Sequence, residues 1–240
     1  MHRTPGSRKL VILLDMRGPL PYTPVMTSAQ ERKQQERTAR RRRIQRAARS
    51  VFAERGYAKT SIEAVAKEAT LSVGAIYLYF RSKEDLYISL LEDTLELLSA
   101  ELRRIGSSDE SDKLGASWKF LCTWAQNDTE ATRVLRLCSQ DNVRKQLSDE
   151  VAEAIRTGFE HIRARLADVL RNHTKNADES MAIQLAEVVW ALFVGLLQTH
   201  DAKSNFDVGG PDLATLSQSG LTLLVNSLAS KSSPRAATAA

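Results

Sequence analysis

Apolar side chains recur every three to four positions along nearly the whole chain from Ser28 onward, and the alternation that a half-buried strand requires is nowhere sustained. Ile44, Ala47, Ala48, Val51 and Phe52 form one stripe of a first helix, and Gly56 suits the left-handed cap that ends it. Thr60 or Ser61 can cap a short second helix whose Ile62, Val65, Ala66 and Ala69 point inward. Thr70-Leu71-Ser72 makes a turn. Ser72 caps a third short helix, with Val73, Ile76 and Phe80 on its buried side. Ser82, followed three residues later by Asp85, opens a long helix through Leu86, Leu90, Leu91, Leu97, Leu98 and Leu102, which Gly106-Ser107-Ser108-Asp109 breaks.

Five more helices follow. Trp118, Leu121, Cys122 and Ala125 mark the first, and a shorter one covers about 129–139. Val151, Ile155, Phe159, Ile162, Leu166, Val169 and Leu170 line a long amphipathic helix. The next, about 179–203, carries Met181, Leu185, Val188, Val189, Trp190, Leu192, Phe193, Leu196 and Leu197, leaving little polar face, so it must be buried on most sides. Leu213, Leu216, Leu221, Leu224 and Leu228 mark the last. The fold class is therefore all-α: an N-terminal three-helix helix-turn-helix domain plus a C-terminal helical bundle, about nine helices in total. The expected boundaries are 1–28, a disordered or mis-assigned extension with translation starting at Met26; 29–84, the helix-turn-helix domain; 85–230, a ligand-binding and dimerisation bundle; and 231–240, a disordered tail.

Charge adds a partner. Residues 1–60 hold 15 Lys and Arg against 4 Asp and Glu, whereas the whole chain carries only +5. The cationic excess therefore sits beside the helix-turn-helix, where counterion release from a polyanion favours binding. A compact helix-turn-helix beside Arg40, Arg41, Arg42 and Arg43 is a tool for lying in a groove of double-stranded DNA. Ser72, Val73, Gly74 and Ala75 keep the start of the third helix unobstructed, as approach to base edges requires. Tyr77 and Tyr79 carry hydroxyls suited to phosphate, and Thr60, Ser61 and Lys83, at the starts of flanking helices, are placed for the same task.

Other chemistries find no foothold. Cys122 and Cys138 lie far apart, the four histidines are scattered, and neither a metal site, a disulfide framework, a nucleophile motif nor a phosphate-cradling glycine loop is present. No metal, cofactor or catalysis is expected, and the cysteines read as small apolar groups of a cytoplasmic protein. The longest apolar run, Val188 to Leu197, has ten residues, about half of a membrane span.

The series Thr60, Val65-Ala66, Ala69, Ser72, Gly74, Ile76-Tyr77, Tyr79-Phe80 and Ser82-Lys83-Glu84 resembles the TetR family of transcriptional regulators over about residues 40–90. Two positions depart from that pattern. Thr70 stands where such proteins usually have glycine, so a left-handed turn would be strained unless the turn adjusts or the threonine supplies compensating bonds. Val73 replaces a residue that is often polar or basic, so base readout should be sparse and Arg40 to Arg43 should contribute disproportionately. The resemblance implies a repressor that leaves a palindromic operator when a small-molecule effector binds its C-terminal domain and moves the Ser82–Leu102 helix. It also implies a homodimer, for which the last two helices are the natural interface. Aromatic area gathers in the second domain, making Trp118, Leu121, Trp124, Phe159, Trp190 and Phe193 the candidate ligand lining for a flat or apolar effector. Gln126, Arg136, Gln198 and His200 are polar candidates that nothing ranks. Aromatics at helical spacing also serve as plain core, so a cavity distinguishes a sensor from the alternative, a ligand-independent architectural or accessory DNA-binding protein.

Overall fold

A computed structural model describes residues 28–138, 142–173 and 178–231, and its regular elements are all helices. The expectations for 1–27 and 232–240 lie outside these described residues. Helix α1 (Ala29–Lys59) starts at a reciprocal cap: Ser28 Oγ accepts from Glu31 N at 3.1 Å, and Glu31 Oε2 accepts from Ser28 N at 2.7 Å. Residues up to Ala39 group as one unit, in which 28–39 are exposed throughout; residues from Arg40 form a second. Within α1 Gly56 takes φ 74°, ψ 162°, a conformation open only to glycine at low cost, and the helix proper ends there.

Helices α2 (Ile62–Ala69), α3 (Val73–Tyr77), α4 (Lys83–Ser89) and α5 (Leu91–Gly106) follow. After them come α6 (Lys113–Asn127), α7 (Thr129–Leu137), α8 (Val143–Gln146), α9 (Asp149–His173), α10 (Glu179–Asn205) and α11 (Leu213–Lys231). Local chemistry sets most of the starts. Asp112, Asp128, Asp178 and Asp212 each accept a backbone N–H three residues on, at 2.8–3.0 Å.

Eleven helices are thus described where about nine are expected, for two reasons. The short α8 has too few residues to show a period. The long helix expected over Ser82–Leu102 is interrupted at Leu90, because α1 draws on carbonyls at that point: Gln45 Nε2 donates to Ser89 O at 3.1 Å and Arg49 to Leu90 O at 2.9 Å. The third helix also stops at Tyr77 instead of Phe80.

One apolar core runs from Ile44 of α1 to Leu213 of α11, so no break in packing falls at the boundary expected near residue 84. Tyr87 of α4 explains the continuity, packing on Phe52 of α1 at 4.7 Å between ring centroids. Deeper in the bundle α5 and α9 approach closely at Gly158, where an added Cβ would lie 2.7 Å from Leu95 Cδ1. Helix α10 is long and apolar enough by composition to cross a membrane, yet Ala182, Ala186, Val189, Phe193 and Leu197 are core residues of the bundle. Its remaining surface is left uncovered in the single chain: Met181, Ile183 and Val188 are exposed, as is Leu223 of α11.

The turn between α2 and α3 resolves the question posed by Thr70. Thr70 adopts φ 54°, ψ 50°, so the turn is not adjusted and a β-branched residue sits in the left-handed region. The geometry is that of a Schellman cap: Leu71 N donates to Ala66 O at 2.9 Å and Thr70 N to Lys67 O at 3.1 Å. Relief of the left-handed cost, about 1–2 kcal/mol, outweighs glycine's extra entropy loss of about 0.5–1 kcal/mol. Thr70→Gly is therefore expected to stabilise the protein by about 0.5–1 kcal/mol, read as a rise of about 1–4 °C in melting temperature. A fall in that temperature would show that the threonine supplies something the turn needs.

Candidate nucleic-acid interface and effector cleft

Helices α2 and α3 place the reading surface. Ser61 Oγ accepts from Ala64 N at 3.3 Å and Ser72 Oγ from Ala75 N at 3.1 Å, which fixes the starts of both helices while leaving Ser61 and Ser72 exposed. Ile76 and Phe80 anchor α3 in the core. Around them Gly74 is exposed, Tyr77 is 52% exposed and Ala75 is half-buried. Leu78, at 74%, is the most exposed apolar residue of this surface and belongs with it, offering contact to a thymine methyl or a sugar. Sequence alone did not single it out, although its position off the Val73–Ile76–Phe80 stripe was the available signal. Val73 and Tyr79 are half-buried and pack partly on the core, so less of each faces outward than expected.

Three residues expected to touch DNA are engaged in holding the domain together. Thr60 is only 3% exposed and its Oγ1 donates to Gly56 O at 2.8 Å, closing the end of α1. Lys83 Nζ donates to Tyr57 O at 3.1 Å and Thr60 O at 3.2 Å, and lies 4.3 Å over the Tyr57 ring, so it caps the carbonyls at that same end. Arg41 turns inward. It makes two 2.6 Å hydrogen bonds to Glu92 of α5, pairs with Glu150 of α9 at 3.2 Å and sits 5.1 Å over the Phe80 ring. Burial opposes its charge, but the Glu92 hydrogen bonds and the fields of Glu92, Glu150 and Asp85 outweigh this and raise its pKa. Arg40, Arg42 and Arg43 remain exposed, as do Arg46 and Lys67. The helical period separates these roles: with Ile44 and Ala48 inward, Arg41 falls on the core side.

In the bundle, a cleft of about 650 Å³ opens between α7, α9 and α10. Its apolar lining includes Leu135, Phe159, Trp190 and Val194, with Gln198 at one side and a rim of Arg156, Glu160, Arg163 and Glu187. The rim is charge-balanced: Arg163 bonds Glu187 across the cleft at 2.9 Å, and Arg156 pairs with Glu160 and Glu153 along α9. Of the six expected lining residues, only Phe159 and Trp190 are here. Trp118, Leu121, Trp124 and Phe193 belong to the core. Trp118 Nε1 donates to Ser217 O at 2.9 Å, and Phe193 lies 5.5–6.4 Å from all three indole rings.

A second cavity of about 410 Å³, between α6, α7, α10 and α11, collects Gln126, Arg136 and His200, and in it Arg136 is paired with Asp201. Cys138 borders the first cleft, but burial pushes its thiol up to about 12, away from the reactive thiolate. Among the described residues no three His, Cys, Asp or Glu side chains gather as a metal site.

One buried carboxylate was not anticipated in its role. Asp85 is 0% exposed; its Oδ2 accepts from Arg81 N at 2.8 Å and its Oδ1 accepts from Ser148 N at 2.9 Å and Ser148 Oγ at 3.0 Å. The pairing spans 63 residues, so nothing local announces it.

Similarity to known proteins converges on this geometry. The sequence profile of the bacterial regulatory proteins of the tetR family matches residues 44–90. The fatty acid metabolism regulator protein of Bacillus subtilis is 27% identical over 77% of this chain and 93% of its own length. An HTH-type transcriptional repressor of Mycobacterium tuberculosis is 35% identical over 41% of this chain and 52% of its own. Among solved structures, the transcriptional regulator FadR from Bacillus subtilis in complex with stearoyl-CoA shares the fold, with a TM-score of 0.57 and 24% identity over 76% of this chain and 96% of that one.

Proposed function

We propose that this chain, which carries the helix-turn-helix domain of the TetR family of transcriptional regulators, binds a palindromic operator as a homodimer and acts as a cytoplasmic repressor, not an enzyme. Release follows when a small, largely apolar or aromatic ligand enters the cleft between α9 and α10. The observation that carries this reading is the presence, in one packed unit, of an exposed reading face at Ser72, Gly74, Tyr77 and Leu78 and a cleft of about 650 Å³ lined by Phe159 and Trp190. A single five-residue reading helix offers few base contacts, and a two-fold pair doubles them. Met181, Ile183, Val188 and Leu223 on α10 and α11 give such a pair an apolar face to bury.

The balanced rim favours a ligand with an uncharged body, held by apolar contact and oriented by Gln198. The stearoyl-CoA bound by the Bacillus subtilis FadR carries an apolar chain of this kind. The second reading, a ligand-independent architectural DNA-binding protein, has the exposed arginines in its favour and the cleft against it.

Binding of the full chain to chromosomal fragments at fixed salt, its own upstream region included, tests the proposal. Selective binding of two chains to a palindrome is expected, weakened about tenfold by Tyr77→Phe through loss of one hydroxyl–phosphate hydrogen bond per reading head. Binding that varies with salt and not with sequence would favour the architectural reading instead.

A further inference from the structure

We propose that the reading head is coupled to the cleft through α9 directly, by a latch of Asp85 and Ser148, rather than only through α4 and α5. The inference rests on the regulator reading above.

Three interactions clasp the exit of α3 to the α8–α9 corner. Asp85 ties Arg81 N to Ser148, the Arg81 guanidinium donates to Lys145 O at 2.8 Å, and Arg41, stacked on Phe80, reaches Glu150. Ser148 is also the first anchor of α9, since its Oγ accepts from Val151 N at 3.3 Å while donating to Asp85. That hydroxyl is thereby used as donor and acceptor at once, and the Asp85 carboxylate, itself 0% exposed, is matched by three donors. Such a joint is either made or broken. A small displacement leaves a buried carboxylate short of donors, which gives the two discrete states that coupling needs.

The middle of α9 lies at the cleft. Arg156, Phe159, Glu160 and Arg163 line it, about 12–22 Å along the helix from Ser148 at 1.5 Å per residue. Within this stretch, Gly158 packs on Leu95 of α5 with no room for a Cβ, which makes that crossing a pivot for the helix. A ligand that displaces Phe159 therefore tilts or turns α9 about this crossing, and the N-terminal end of the same rigid helix holds the reading head through the latch. Ligand and DNA bias the same joint, and by linkage DNA must act back on α9 by the same factor.

That reciprocity allows a test without the effector. The probe is the palindromic chromosomal fragment selected by the full chain, and the readout is amide hydrogen exchange with and without it. In the wild type, the fragment is expected to slow exchange in α9 residues 151–163 about tenfold relative to α6 in the same protein. Ser148→Thr, which keeps the hydroxyl donor and the cap, should behave like the wild type. Ser148→Asp still caps α9 but places a like charge against Asp85; it should bind the fragment and lose the α9 response. Asp85→Asn, which leaves the α9 cap intact, should also lose it and serves as the second variant should Ser148→Asp fold poorly. Selective DNA binding with a silent α9 in the wild type, or a full response in either latch-breaking variant, would overturn the inference alone. Absence of selective binding would overturn the regulator reading and the inference together.

Discussion

Phe193→Ala is expected to cost about 3–5 kcal/mol of stability, the range for removing a large aromatic side chain from a packed core. Phe193 is 1% exposed and touches Trp118, Trp124 and Trp190 at once, so truncation removes the piece around which all three indoles are arranged. The surrounding α6 and α10 backbones are held by their own hydrogen-bond ladders and close only part of the void. Thermal unfolding checks this directly: at about 2–4 °C per kcal/mol for a chain of this size, the melting temperature should fall by about 6–20 °C. The same experiment separates core from lining. Trp190 is only partly buried and borders the cleft, so Trp190→Phe should cost less than half as much while altering ligand affinity once a ligand is found. A loss of less than about 1 kcal/mol at Phe193 would mean that the aromatic cluster yields easily and that the cleft extends further inward.

Arg41→Ala is the second large expectation, about 2–3 kcal/mol, set by a guanidinium that is 13% exposed against a carboxylate that is 17% exposed. The pair is not fully buried, so the loss falls at or below the lower end of the roughly 3–5 kcal/mol for breaking a buried pair. Three effects combine: Glu92 is deprived of both 2.6 Å donors, Glu150 of its α1 partner, and the Phe80 ring of its cover. Arg42→Ala and Arg43→Ala, at exposed positions, should instead change stability by about 0.5 kcal/mol or less. Their effect should appear in DNA binding, as a salt dependence shallower by about 0.9 for each phosphate no longer neutralised. Urea unfolding and a salt titration of DNA affinity together sort the run of four arginines. If Arg41→Ala instead reduces the salt slope and leaves stability alone, Arg41 reads DNA as its neighbours do.

Legibility in the sequence followed the range of each interaction. Caps at Ser61 and Ser72 act within three residues and were readable; those at Asp112, Asp128, Asp178 and Asp212 are as local, although only the apolar periods that follow them were read. Gly56 was readable as a position suited to positive φ, because backbone sterics are local, whereas the left-handed turn at Thr70 was posed by the family resemblance with an adjusted turn left open. The break at Leu90 was not readable, since its cause lies on α1, more than forty residues away. Nor was the division of labour among the arginines and aromatics. A guanidinium has the same chemistry facing phosphate or facing Glu92, and an indole the same chemistry in a core or in a cleft.

By itself, then, the sequence determined the all-α class, the helix-turn-helix and its apolar anchors, the cationic N-terminal end and the aromatic second domain, because periodicity, capping and charge are properties of neighbours along the chain. Only the tertiary structure decided which cations are offered outward, which aromatics line the cleft, and that Asp85 meets Ser148. Those are properties of neighbours in space, and burial, which sets what an ionic or polar group does, exists only once distant segments have packed.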